Sequence, residues 1–198
     1  MAHKCFISFK TEDLWYKNYI QNDLNVDIID KSLNDPIESE DEEYIMKIIR
    51  RDYLNDSTVT ICLIGDRSAE DLNPYPENQY YIKKELQASL SNTSISSKNG
   101  ILGIVLPSMT SKIYTGSHIC SICGNEHTYV NIDDSTIIKE FSYNFYIPND
   151  NLCAWSEKDR YCVLCKWEDF KNTPSLYIDQ AYNKRDAPIA SKTKVRPN

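Results

Sequence analysis

The chain lacks any run of about 18 apolar residues, the length a membrane-spanning helix requires, so no membrane association is expected. It also lacks a basic excess: 22 Lys and Arg stand against 29 Asp and Glu, a formal net charge of −7. Neutralising phosphates takes cations in excess, so a general nucleic-acid surface is excluded and only a local basic pocket is left. The opening residues, Met1 to Lys10, turn polar too soon for a secretory signal. A cytoplasmic location is therefore expected, and with it reduced thiols. The seven cysteines are an odd number, which suits buried thiols or metal ligands better than a complete set of disulfides. Internal repeats are missing, and the Ser/Asn-rich stretch at 91–99 is the one biased tract. What is present, 198 residues with 41% apolar and 26% charged, is ordinary for a globular chain. It suffices for one well-buried core and a small appendage.

Strand-like and helix-like stretches alternate over the first half. Cys5-Phe6-Ile7-Ser8-Phe9 has the length and composition of a strand. Thr11-Glu12-Asp13 then offers a helix start, and Tyr16, Ile20 and Leu24 form a helical stripe. Val26 to Asp30 suggests a second strand, followed by a loop with a turn signal at Asp35-Pro36. Ser39 and Glu42 have capping-box spacing ahead of an apolar face at Ile45, Ile48 and Ile49. Thr58 to Ile64 is continuously β-branched and apolar, the pattern of a parallel strand buried on both faces. A polar loop through Asn73-Pro74-Tyr75-Pro76 leads to a helix with Ile82, Leu86 and Leu90 at four-residue spacing, and Ile101 to Leu106 is a fourth strand stopped by Pro107. This order predicts an α/β fold, a doubly wound, flavodoxin-like parallel sheet.

After Pro107 the periodicity is lost. Residues 1–107 are expected to form the α/β core, 108–159 an irregular insertion, 160–185 a fifth strand and last helix completing the core, and 186–198 a mobile tail. Most of the cysteines fall late. Cys120-Ser121-Ile122-Cys123 and Cys162-Val163-Leu164-Cys165 are two CxxC pairs that can present four thiolates tetrahedrally, a set that takes structural zinc. The 38 residues between the pairs require a bulging loop. His127 and Cys153 are alternatives for one ligand, while Cys5 and Cys62 are expected as buried hydrophobes.

The stretches Phe6-Ile7-Ser8-Phe9-Lys10-Thr11-Glu12-Asp13, Thr60-Ile61-Cys62-Leu63-Ile64-Gly65, Tyr81-Ile82-Lys83-Lys84-Glu85-Leu86 and Ile101-Leu102-Gly103-Ile104 together resemble TIR domains. The likeness is to the bacterial TIR-like group that includes the Thoeris anti-phage proteins, and it spans roughly residues 4–107. That resemblance implies a five-stranded parallel sheet and cleavage of the nicotinamide–ribose bond of NAD. It further implies an ADP-ribose-derived signal, cyclic in some members, that activates an effector protein during infection. It implies a homo-oligomer as well, and it assigns the catalytic role to Glu85.

In a doubly wound sheet, ligands collect beyond the carboxyl ends of the strands. The residues expected to bind substrate there are Phe6, Ser8, Phe9, Lys10, Asp30, Ser32, Asp66, Ser68 and Tyr81, with Lys10, Lys31 or Arg67 meeting the pyrophosphate. Phe6 and Phe9 are three apart in one strand, so at most one of them can face the cleft. The competing expectations are a solvated Glu85 and a non-catalytic TIR adaptor that only assembles with other proteins.

Overall fold

A computed structural model of the chain describes residues 3–24, 28–30, 37, 39, 41–70 and 79–197, and for 28–30 the backbone alone. The turns expected at Asp35-Pro36 and Asn73 to Pro76 lie outside the described residues. The apolar opening run forms β1 (His3–Ser8), and α1 (Leu14–Asn22) and the short β2 (Ile28–Asp30) follow. Next come α2 (Glu42–Ile48), β3 (Val59–Ile64), α3 (Tyr80–Leu90) and β4 (Gly100–Val105). β3 and β4 are buried at every position, as their unbroken apolar content predicts. The start of α2 differs from the expected capping box. Asp41 is the N-cap, its Oδ1 accepting from the backbone N–H groups of Glu43 at 3.0 Å and Tyr44 at 3.2 Å. A carboxylate meets the orphan amides and the helix dipole together, and Ser39 Oγ instead accepts from the Asp41 N–H.

The chain then forms α4 (Thr110–Ile113), an antiparallel hairpin of β5 (Tyr114–Ile119) and β6 (Glu126–Val130), and α5 (Lys139–Phe145). β7 (Val163–Lys166), α6 (Trp167–Asn172) and α7 (Pro174–Lys184) complete it. The parallel sheet has the order β2-β1-β3-β4-β7, with the hairpin as a separate two-stranded sheet. The fold is α/β, as expected, with helices on both faces. On one face Ile61, Leu63, Leu102 and Ile104 pack against Ile20 of α1, Phe170 of α6 and Ile178 and Ala181 of α7. On the other, Cys62, Ile64, Ile101 and Val105 meet Leu86 and Leu90 of α3 and Phe141 and Phe145 of α5. No helix among the described residues is long and apolar enough to cross a membrane.

Two expectations about the later chain are corrected. The stretch 108–159, expected to be irregular, forms α4, the hairpin and α5, and Ile137, Ile138, Phe141 and Phe145 join the core cluster over β3 and β4. The tail expected to be mobile docks instead. Pro188–Lys192 forms a 3-10 turn with Ile189 buried. Lys194 exchanges backbone bonds with the buried Asn144 amide at 3.0 and 2.9 Å. A buried amide that finds both its donor and its acceptor partner in a passing backbone holds that backbone in place.

Candidate active site

Parallel pairing of β1 with β3 sets Ser8 beside Cys62 at the carboxyl edge of the sheet. The height of α3 above that edge is set by a buried hydrogen-bond chain. Asn99 Nδ2 donates to Thr60 Oγ1 at 3.1 Å, Thr60 Oγ1 donates to Ser89 Oγ at 2.7 Å, and Ser89 Oγ donates to the Glu85 carbonyl at 2.8 Å. One turn before Ser89, the Glu85 side chain points into the protein. It is 6% exposed, and Ser8 Oγ donates to its Oε2 at 2.6 Å. Glu85 is therefore not the solvated charge that Lys83-Lys84-Glu85 suggests.

An acid taken out of water holds its proton more tightly. Burial pushes the Glu85 carboxyl up to about 8, and the Ser8 hydroxyl offsets only part of that rise. Asp13 stands over the end of β3. A Cβ placed on Gly65 would lie 2.4–2.8 Å from the Asp13 carboxyl atoms, so glycine is what lets this carboxyl approach the backbone. Asp13 is pushed up to about 6 by burial first, then by the charges of Glu12 and Asp66, with Lys10 opposing. Both acids act on Cys62 between the sheet and α3. Burial, then Glu85 and Asp13, push its thiol up, which leaves it a packing group with no nucleophilic character. Asp13 was missed as a cleft residue because its place after β1 suggests a helix-start acid. The signal was Gly65, the one small residue ending a strand of bulky ones.

The remaining expected residues divide. Ser68 is buried and closes the turn after β3, its Oγ accepting from Gly65 N–H at 2.9 Å. Asp66 is exposed on that turn. Arg67 Nε lies 3.4 Å from Glu12 Oε1, tying the β3 turn to the loop after β1. Lys10 is half-buried, its carbonyl accepting from Asp13 N–H at 2.8 Å. Tyr81 is half-buried, and its hydroxyl donates to the Ile37 carbonyl at 2.8 Å. Phe6 is corrected: it is fully buried among Ile45, Met46, Ile49 and Ala88 and lines no cleft. Phe9 packs on the opposite face, with Lys17 Nζ 5.9 Å from its ring centre. Strand alternation explains the split, because Ser8 shares the α3 side with Phe6 while Phe9 faces α1. The Asp30 backbone pairs with Cys5; its side chain, with Lys31 and Ser32, lies outside the described residues.

The expected pairing of the two CxxC motifs is also corrected. Cys162 and Cys165 are both buried, one packed on the α3/α5 face of the sheet and the other on the α1/α7 face. Their thiols lie 3.8 Å from the Phe141 carbonyl and 3.9 Å from the Gly103 carbonyl. Residues three apart along an extended chain point to opposite sides, so this pair cannot chelate one ion. Among the described residues, the donors that do converge are Cys120, Cys123, His127 and Cys153, whose ligand atoms all lie within 4.8 Å of one another. This group could hold a metal ion.

The family model of the Thoeris protein ThsB, TIR-like domain, matches residues 6–111. No curated protein and no solved structure matches the chain.

Proposed function

Because the chain belongs to the family of Thoeris ThsB TIR-like domains, we propose that it acts in anti-phage defence by cleaving the nicotinamide–ribose bond of NAD. The observation that carries this reading is the Ser8–Glu85 contact, a buried acid held at the carboxyl edge of a parallel sheet. Ligands of doubly wound folds collect at such an edge. A group used only for packing would be better served by Leu or Gln, because a buried carboxyl pushed up to about 8 weakens the fold wherever the unfolded chain would ionise it. That cost argues for chemistry and against a purely adaptor role.

The chemistry asked of Glu85 is modest. Nicotinamide leaves with the electron pair of the glycosidic bond, and a cation develops on the ribose. A carboxylate beside that carbon favours the cation over the ground state. The bound nicotinamide–ribose cation itself favours ionisation of Glu85, so substrate binding releases the proton that burial had retained. Ser8 Oγ–H holds the carboxylate in position. Water then attacks the cation and loses a proton to give ADP-ribose, or a nucleophile within the substrate closes a ring. Lys10, after β1, and Arg67, on the turn after β3, are the cations we assign to the pyrophosphate. We further propose that the chain works as a homo-oligomer in the cytoplasm, that its product is sensed by a separate effector protein, and that a structural zinc ion braces the segment after β4.

The test is to incubate concentrated full-length chain with NAD and follow nicotinamide by chromatography. Release by the wild type, and about 10²–10³-fold slower release by Glu85→Gln, is expected. Equal release by the two proteins would refute the assignment.

A further inference from the structure

The hairpin of β5 and β6 has little to hold it. Five of the six residues of β5 and three of the five of β6 are exposed, and Ile119 and Ile122 at its tip are 68% and 81% exposed. Two strands without a buried face are marginal in water. Yet the tip is tightly built. Cys120 N–H donates to the Asn125 carbonyl at 2.8 Å and Gly124 N–H to the Cys120 carbonyl at 2.9 Å. Gly124 sits at φ +72°, in the left-handed region, a conformation that glycine adopts without steric cost. Ile122 N–H points at Cys120 Sγ at 3.4 Å. The turn thus brings the Cys120 and Cys123 sulfurs to one side, and the first residues of β6 bring in His127, its Nε2 3.1 Å from Cys123 Sγ. Cys153 arrives from 26 residues further along the chain, and its Sγ lies 3.7 Å from the same nitrogen.

We infer that Cys120, Cys123, His127 and Cys153 are the four ligands of a single zinc ion that clamps the hairpin tip to the loop before Trp155. This rests on the zinc reading above and replaces its expected ligand set. Ligands about 2.0–2.3 Å from a tetrahedral zinc stand roughly 3.5–3.8 Å from each other. The separations, 3.1 and 3.7 Å from His127 Nε2 to two of the sulfurs and none in the group above 4.8 Å, bracket that value, so filling the site needs only small side-chain movements. Three thiolates and an imidazole are the donor set zinc takes among cytosolic metals. All seven cysteines are free thiols, and a disulfide within the group would use two donors and leave a thiol and the imidazole facing it.

Four protein ligands close the coordination sphere, so the ion holds structure and offers no open position for substrate. What it holds together is specific. His127 and Cys153 both line a cavity of about 600 Å³, with Tyr129 on the hairpin side and Tyr146, Trp155 and Arg160 opposite. The two walls come from different parts of the chain, and the metal joins them at the rim.

The test uses the full-length chain purified under reducing conditions without chelator. Elemental analysis is expected to find about one zinc per chain in the wild type and in Cys162→Ala, and almost none in Cys153→Ser or His127→Ala. Cobalt-substituted wild type gives a reading that depends on no variant folding. Its thiolate-to-cobalt charge-transfer intensity is expected to correspond to three sulfurs. Zinc retained by Cys153→Ser and lost from Cys162→Ala, or an intensity for four sulfurs, would overturn this ligand set and leave the zinc reading standing. A wild type that takes up no zinc would overturn both.

Discussion

The carboxyl edge of the sheet and the tip of the β5–β6 hairpin gather reactive side chains by opposite means. At the edge, α3 and the turn after β1 hold Glu85 and Asp13 out of water against strands buried on both faces, and burial itself changes their chemistry by raising both carboxyls. At the tip, almost nothing is buried, and the thiols converge because a tight turn and a distant loop bring them there. The edge has a core beneath it and holds its Glu85 proton more tightly for being buried. The tip has its donors in place but lacks a core. The family match covers 6–111 and ends before the hairpin begins, so the two regions also differ in what they share with relatives. A buried acid points to chemistry, and a cluster of soft donors on an otherwise exposed hairpin tip points to a brace.

The largest effect expected is on turnover. Glu85→Gln keeps the shape and the Ser8 contact but removes the charge, and nicotinamide release should fall by about 10²–10³-fold, read by chromatography. The melting temperature near pH 8 should not fall, because Gln has no charge to desolvate. Next in size is metal removal. Stripping the tip with a chelator should speed amide hydrogen exchange in 114–130 by about two orders of magnitude while the amides of β3 and β4 keep their protection. Equal loosening of both regions would erase the contrast between them.

A smaller effect is the pH dependence of stability. The folded Glu85 carboxyl lies near 8, above its ordinary 4.5, so the native state holds a proton that the unfolded chain releases. That contribution is complete below about pH 4.5 and is lost as pH rises towards 8. Asp13, raised from 3.8 to about 6, acts with the same sign over a lower window. Denaturant titration should therefore show wild type and Glu85→Gln alike near pH 4.5. By pH 8 the wild type should be the weaker of the two by a few kcal/mol. The smallest effect is Gly65→Ala, whose methyl would meet the Asp13 carboxyl. Displacing that group should cost about 1–2 kcal/mol, measured by the same titration.

The sheet was legible because its strands carry continuous apolar runs. Val59–Ile64 and Gly100–Val105 are buried throughout, and no other element type suits such short bounded runs. The hairpin was missed because β5 and β6 are largely exposed and so lack the alternation that a half-buried strand shows. Helix α5 was missed because it is seven residues long and two of its apolar anchors, Ile137 and Ile138, precede it. The second CxxC misled because spacing alone cannot tell a knuckle from a strand. Only the chain conformation separates Cys162 from Cys165 onto two faces of the sheet. Glu85 was marked by its resemblance to a family motif, since the charges around it suggest a solvated helix surface. Its burial against Ser8 follows from how α3 is fastened to Thr60, which depends on contacts between distant parts of the chain.

The most direct measurement is the pH–rate profile of NAD cleavage for the wild type beside Ser8→Ala. The wild-type kcat/KM should climb with pH and level off near 8, as free-enzyme Glu85 ionises. Loss of the Ser8 hydroxyl, which favours the ionised form, should move that midpoint to higher pH. A profile flat from pH 5 to 9, or one that Ser8→Ala leaves in place, would contradict a buried Glu85 as the acid that works on NAD.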